Sequence, residues 1–328
     1  MTFTPWHIWA AFLLDLAFGN SKWMPRPESA VLAAVQFIEH LIVMGSPLLK
    51  KGVLKIGEKW SGVILAIAVI ALTGGIGALL IGLSNYLHPK IGLAVLLYFA
   101  CTTLTMRSFG EKVYGVFKWL QEKNLSSAQK DLSLIMDPIM CPCTESMTQS
   151  KIIRDTVMSV SGNSVHGVVA PLLYLLLGGV PLAMAYQAIN TLYFSLGQRA
   201  EHKRSPLRTG WDAWGGKLYN LVNFIPARIT GVLMAIGAAF LFGTGLKTFM
   251  ILLRNGLQYP SPNTEMPGVV LAGAIGMTLR SPSTDVEVLP FFPLHENEMD
   301  EAELHHIIDA IKLMGVVACV MLIVCMMT

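Results

Sequence analysis

The chain has 328 residues, 53% of them hydrophobic and 14% charged, with a formal net charge of +3. Soluble domains average about 25% charged residues, so this composition argues against a water-soluble globule and for a membrane protein. The small net charge gives no basis for nucleic-acid binding, and five dispersed cysteines do not make a disulfide framework.

Trp6–Phe18 is an apolar run interrupted by Asp15, with no Lys or Arg before Lys22. That pattern does not fit a signal peptide, and the run reads as a retained first membrane segment. Gly19–Ser29 is a turn rich in Gly, Asn and Pro, and residues 30–49 read as an interfacial amphipathic helix. Ser61–Leu83 carries no charged residue and is the clearest transmembrane helix. Ile91–Met106 is a second, antiparallel span, with Lys90 marking the connection. Gly74-Gly75-Ile76-Gly77 lies inside the first of these spans, where helix packing explains it better than phosphate binding.

Arg107–Asp155 is soluble in character. Val113, Val116, Phe117 and Leu120 recur at helical spacing, Asn124 breaks the pattern, a second helix follows, and Thr148–Ser161 is helical again. Cys141-Pro142-Cys143 has one residue between its thiols and no second pair, unlike a zinc site. Gly167–Leu196 is apolar but carries Gly178-Gly179-Val180-Pro181 at its middle, so it reads as a helical hairpin, re-entrant or full. Arg199–Lys217 is a polar loop, and Phe224–Leu253 is apolar with a break at Gly243-Thr244-Gly245. Val269–Leu279 is a short helix of small residues, residues 285–309 are an acidic surface segment, and Leu313–Met327 is a final apolar helix.

The fold class is therefore all-α: a polytopic integral membrane protein with amphipathic and broken helices, organised as a single domain over residues 1–328. Its polar loops are 19–59, 107–155, 199–228 and 254–312. Lys and Arg number six in 19–59, seven in 107–155 and six in 199–228. Two intervening hairpins put all three on one side, which the excess of cations makes cytoplasmic. The expected location is the cell (inner) membrane.

The stretch from Asn163 to Arg228 holds the residues that lipid-facing packing does not ask for: Asn163, Asn190, Asn223, Arg199 and Arg228. Polar groups at membrane depth face a partner or a cavity. Two readings stay open for them. The arginines are interface anchors or ligand contacts, and the asparagines are interhelical hydrogen-bond glue or substrate contacts.

These residues fall into an ordered set of motifs. Asn163 precedes Gly167-Val168-Val169-Ala170-Pro171-Leu172; Asn190-Thr191-Leu192 is followed by Gly197, Arg199 and Glu201; then come Asn223-Phe224-Ile225-Pro226-Ala227-Arg228 and Ser261-Pro262-Asn263. The chain opens with Leu13-Leu14-Asp15-Leu16, Phe18-Gly19 and Trp23-Met24-Pro25. In this order, and over essentially the whole chain, the set resembles the CobD/CbiB family of membrane adenosylcobinamide-phosphate synthases. The resemblance implies cobalamin biosynthesis by an ATP-dependent carbon–nitrogen ligase. Aminopropanol phosphate, or ethanolamine phosphate, is joined through an amide to adenosylcobyric acid, after activation of the carboxylate as an acyl phosphate.

What the resemblance implies for residues is as follows. Arg199, Arg228 and Lys217 hold phosphate, and Asn163, Asn190, Thr191, Tyr219, Asn220, Asn223 and Asn263 contact substrate. Glu201 and Asp155 are the catalytic candidates and the candidate metal ligands. ATP and Mg²⁺ are the implied cofactors. The implied partners are the corrinoid, the phosphorylated amino-alcohol, membrane lipid and other membrane proteins of the pathway.

The sequence departs from the family at acidic positions. Asn20, Met158, Gly162, His166, Tyr193, Tyr219 and Asn220 stand where the family carries carboxylates. A catalytically impaired paralogue, acting as a corrinoid binder or a component of a membrane complex, is therefore the alternative. A small-molecule transporter with broken helices is a third reading.

Overall fold

The structure is a computed structural model. It describes residues 4–19, 58–136, 147–198, 206–255, 263, 265–277, 279–280, 287–288 and 302–328; for 58–66, 195–198, 206–214, 255, 279–280 and 287–288 only the backbone is described. The turn at Gly19–Ser29, the interfacial helix at 30–49, the Cys141-Pro142-Cys143 stretch and acidic residues 289–301 lie outside this set apart from Gly19.

The described chain is helical. Its elements are α1 (Pro5–Phe18), α2 (Glu58–Leu87), α3 (Pro89–Thr102), α4 (Met106–Gln121), α5 (Leu125–Ser133), α6 (Gln149–Asn163), a π-helical turn (Ser164–Val169), α7 (Ala170–Gln198), α8 (Pro206–Phe242), α9 (Gly245–Asn255), α10 (Glu265–Ile275) and α11 (Leu304–Met327). A two-residue antiparallel ladder pairs Leu279–Arg280 with Glu287–Val288 and leaves the class all-α. Among the described residues, five helical stretches are long and apolar enough to cross a membrane: Ile67–Leu87, Pro89–Gln121, Gln149–Phe194, Gly215–Phe242 and Leu304–Met327. The polytopic membrane architecture expected from composition is the one observed.

The described residues group into two compact units. In the unit formed by residues up to Leu104 together with Pro171–Val222, α3 packs on α2 and on α1. The connection is His88, whose side chain caps α3 by accepting from the Lys90 N–H, so Lys90 already lies inside the helix. The expected first membrane segment is helical but has only 14 residues. At 1.5 Å per residue it reaches about 21 Å, short of a hydrocarbon core of about 30 Å. Its Asp15 is fully buried and lies against Gly19, where a Cβ would meet the carboxylate.

α7 is folded back on itself. Gly178 and Gly179 leave helical geometry, with φ of +65° at Gly179, a conformation that favours glycine. The Tyr174 and Tyr186 rings stack with centroids 4.7 Å apart. Twelve residues of continuous helix would separate them by about 18 Å. The two arms therefore run side by side as the expected hairpin. α2 crosses it at Gly74, whose Cβ position is 3.1 Å from the Pro181 carbonyl oxygen, so glycine permits the close approach.

The other unit is built from Thr105–Ala170 and the residues from Asn223 onward, with α6 at its centre, packed against α4, α5, α10 and α11. α4 buries Val113, Val116 and Leu120 on one face, as their spacing predicts. Asn124 breaks the chain by capping α5 through the Ser127 N–H. The polar segments 107–155 and 199–228 are largely helical rather than loops. α8 starts at Pro206 and continues into the span. Gly243, with φ of +70°, ends α8, and the Thr244 N–H returns to the Ala238 carbonyl.

Hydropathy places the ends of two helices differently. The helix expected at Val269–Leu279 is Glu265–Ile275, closed by Gly276 at φ of +76°. The final helix starts at Leu304 rather than Leu313, because Glu303 and His306 form a reciprocal N-terminal cap. Capping chemistry, not apolarity, sets that end.

A proline inside a helix leaves the carbonyl four residues earlier without its donor. Pro171 does this to Gly167, and the Gly167 carbonyl accepts from the Thr105 N–H at 3.2 Å. Pro226 does it to Val222, and the Val222 carbonyl accepts from the Tyr174 hydroxyl at 2.8 Å. Around Gly167 the packing is tight. Thr105 Oγ1 donates to Asn163 Oδ1 at 3.0 Å, and a Cβ on Gly167 would collide with both atoms.

Gly167→Ala is therefore expected to lower stability by about 1–3 kcal/mol, the scale of an overpacked core. Gly75→Ala, which meets nothing within 4 Å, is expected to be neutral or to stabilise by up to about 1 kcal/mol. Unfolding of both variants in detergent micelles measures the contrast.

Candidate functional site

The second arm of α7 carries a polar and aromatic face. Tyr186, Asn190 and Tyr193 follow at spacings of four and three, so they share one side of the helix. Tyr186 stacks on Tyr174 at one end. Tyr193 stacks on Tyr219 at the other, with centroids 3.8 Å apart and planes within 7°. Phe194 meets the Tyr219 ring edge-on at 5.9 Å. Asn190 lies between the two stacks and bonds the Tyr186 hydroxyl through its side chain. Its Oδ1 is buried and has no hydrogen-bond partner among the described residues. A buried acceptor left open costs stability, and such sites in native proteins call for an explanation. Thr191 spends its hydroxyl on the Gln187 carbonyl, at 2.9 Å. Lys217 and Asn220 are exposed on α8.

A second group belongs to the unit built on α6. Arg228 Nη1 donates to the Phe224 carbonyl at 2.9 Å and to Asn263 Oδ1. The guanidinium lies 3.5 Å from the centroid of the Phe224 ring. Three contacts fix the plane of this cation, and Nε and Nη2 remain unengaged among the described residues. That edge has the geometry for bidentate contact with a phosphate or carboxylate. Asn263 and Asn223 are buried. Glu265, also buried, opens α10 and sits in its first turn.

Asn163 is buried beside the π-helical turn. It accepts from Thr105 and directs its amide nitrogen at the Met314 sulfur, 3.9 Å away. Its observed contacts join α4, α6 and α11. π-Helical turns recur at functional sites, and this one coincides with the Asn163–Leu172 motif. Nothing in the local residue types announces it. The missing N–H of Pro171 was the available signal.

Asp155 lies on α6, half-buried, with Lys151 and Arg154 on the same helix. Its Oδ2 is buried and has no hydrogen-bond partner among the described residues. It is the described member of the two carboxylates expected to hold a metal; Glu201 and Arg199 lie outside the described residues. Among the described residues no three His, Cys, Asp or Glu side chains come together to hold a metal ion. Mg²⁺ is commonly held by one or two carboxylates together with water and substrate phosphates, and Asp155 is the described carboxylate available for that role.

Within the unit built on α6, Arg228 can fix an anion; in the other unit, Asn190 offers an acceptor that is open among the described residues. The motif positions Tyr193 and Tyr219 meet each other as a ring stack, which side-chain types alone did not foretell.

Comparison with known proteins identifies the lineage. A model of the "CobD/Cbib protein" family matches residues 8–314. The chain is 33% identical to "Cobalamin biosynthesis protein CobD" of Geobacter metallireducens, over 82% of this chain and 79% of that protein. It is 31% identical to the CobD protein of Pelobacter propionicus, over 84% of this chain and 79% of the relative. It is 30% identical to "Cobalamin biosynthesis protein CbiB" of Salmonella typhi, over 86% and 83% respectively. No solved structure matches. The expectation drawn from the ordered motifs holds: the chain belongs to the CobD/CbiB family.

Proposed function

We propose that this protein works in cobalamin biosynthesis at the cell membrane, with its polar segments cytoplasmic, and that it joins an amino-alcohol phosphate to adenosylcobyric acid. The reaction forms one amide bond. The carboxylate is activated by ATP as an acyl phosphate, and the primary amine of aminopropanol phosphate or ethanolamine phosphate displaces the phosphate. Family membership supports the pathway. The observation that carries the site assignment is the guanidinium of Arg228, pinned by Phe224 and Asn263 with its Nε–Nη2 edge unengaged among the described residues.

In this reading Arg228 holds the phosphate of the amino-alcohol, which places the amine at a fixed distance from the cation. Arg199 and Lys217 supply further positive charge. Asn190, Thr191, Asn223 and Asn263 line or orient the corrinoid carboxylate and amides, with Asn190 Oδ1 as an acceptor for a substrate N–H. Asn163, Tyr219 and Asn220 complete the substrate contacts. Asp155 and Glu201 are the carboxylates assigned to proton transfer from the attacking amine. ATP and Mg²⁺ are the implied cofactors; Asp155 and Glu201 would hold the ion, which would neutralise charge on the phosphates.

A second reading is favoured by one specific observation. Tyr193 and Tyr219, two positions where the resemblance leads one to expect carboxylates, stack face to face. An aromatic pair is worth about 0.5–1.5 kcal/mol beyond its buried area, so this is a packed element rather than a vacated one. It cannot neutralise phosphate-bound metal as two carboxylates can. A paralogue that binds a corrinoid, or joins a membrane complex, without completing the ligation would have this site.

Expression in a strain lacking the synthase distinguishes the two, with cobinamide phosphate measured by mass. Product accumulation is the expected result, and its absence at normal expression would overturn the ligase reading. The variant carrying Tyr193→Asp and Tyr219→Asp together would then report whether the lost carboxylates are the cause. Arg228→Ala is expected to weaken binding of the amino-alcohol phosphate by at least about 1 kcal/mol, roughly fivefold in Kd. Isothermal titration of purified protein measures it; unchanged affinity would leave Arg228 as a helix anchor.

A further inference from the structure

We propose that the groove between α2 and α3 binds one acyl chain of an anionic phospholipid, with the lipid phosphate held by Lys90. The groove has a volume of about 610 Å³. Leu80, Ile91, Ala94, Val95 and Phe99 form its apolar walls, and Ser84, Lys90 and Tyr98 are its lining residues with polar groups. Both helices belong to the same compact unit.

The residues contributed by α3 form a stripe. Lys90, Ala94 and Tyr98 recur at four, beside Ile91, Val95 and Phe99 at the same spacing. The cation is therefore at one end and the aromatic residues at the other. From Lys90 to Phe99 the helix rises about 14 Å. That is about half of a hydrocarbon core of 30 Å, the depth of one leaflet. A groove with a cation at one end and an apolar floor one leaflet deep has the dimensions of a single lipid.

The charge selects the headgroup. Lys90 is exposed in the first turn of α3, where the positive end of the helix dipole adds to its own charge. Its backbone N–H is taken by His88; among the described residues its ammonium has no carboxylate partner. A phosphate supplies one. Ser84, on the facing helix, adds a hydroxyl beside it.

Two competing occupants fit less well. A transmembrane helix from a second copy would use the whole of α2, which has 30 residues. The groove is confined to the end of α2 near His88. An apolar helix laid over it would also bury the Lys90 ammonium without a counter-charge, which is costly. A zwitterionic lipid would satisfy the apolar walls and leave the cation less well compensated.

The test uses the full-length protein in nanodiscs and in mild detergent. Native mass spectrometry after reconstitution with phosphatidylglycerol is expected to show one retained lipid, and reconstitution with phosphatidylcholine less. The preference should be about fivefold, the effect of one cation near a membrane surface. Lys90→Ala should abolish the preference, and Lys90→Arg should keep it. Ala94→Trp fills the groove from an exposed wall position, and should prevent retention of either lipid with unchanged helicity and elution volume. Equal retention of both lipids by the wild type would overturn the proposal. So would lipid retained by Ala94→Trp, or a protein dimer that this substitution dissociates. If Ala94→Trp does not fold, the contrast between Lys90→Ala and Lys90→Arg decides alone, since Lys90 is a surface residue.

Discussion

A backbone carbonyl that loses its helical donor inside a hydrocarbon environment has no water to turn to. Among the described residues this chain creates that problem at Pro171 and at Pro226, and at both a donor from another segment solves it. Thr105 serves Gly167 and Tyr174 serves Val222. Each solution is also a positioning device. The Thr105 contact requires a glycine at 167 and recruits Asn163, and it coincides with the π-helical turn. The Tyr174 contact ties the first arm of α7 to α8 while the same ring stacks on Tyr186. Thr105 and Tyr174 are thus the partners that these two prolines make necessary, and Asn163 is drawn in through Thr105.

The Gly178–Gly179 fold has a comparable reach. By turning α7 back, it places Tyr174 against Tyr186 and leaves Asn190 one helical turn further along the same face. Tyr193 then meets Tyr219 of α8. Aromatic rings in face-to-face contact fill volume that carboxylates would leave open to ions. The chemical character of this face is accordingly aromatic with one open amide acceptor, and the described cationic fork with fixed geometry is Arg228.

Much of the candidate site was legible as a list of residues and little of it as a geometry. Asn163, Asn190, Asn223 and Arg228 stood out because polar groups are expensive at membrane depth. That argument identifies residues that need partners but not which partners they find. Asn163 finds Thr105 and Met314, and Arg228 finds Phe224 and Asn263. Such contacts span from four to more than a hundred residues of sequence, and no local periodicity encodes them. Tyr193 and Tyr219 were notable as departures from the family; their stacking is a tertiary fact.

The sequence by itself determined the class of fold and the lineage. Runs of uncharged residues as long as a bilayer is thick leave few alternatives to helices, and the ordered Asn, Pro, Gly and Arg motifs identify CobD/CbiB. It also located the breaks at Gly178-Gly179 and Gly243, where backbone conformation depends on the residue type. The structure, not hydropathy, fixed where the helices begin and end, because capping at Glu303 and His306 and the continuity of α8 from Pro206 depend on backbone hydrogen bonds. It decided as well that α1 is too short to span, and that two tyrosines occupy one another's faces. Of these, the tyrosine stack rests on a contact between segments distant in the chain, which residue order alone does not specify; the helix ends turn on local hydrogen bonds that hydropathy does not read.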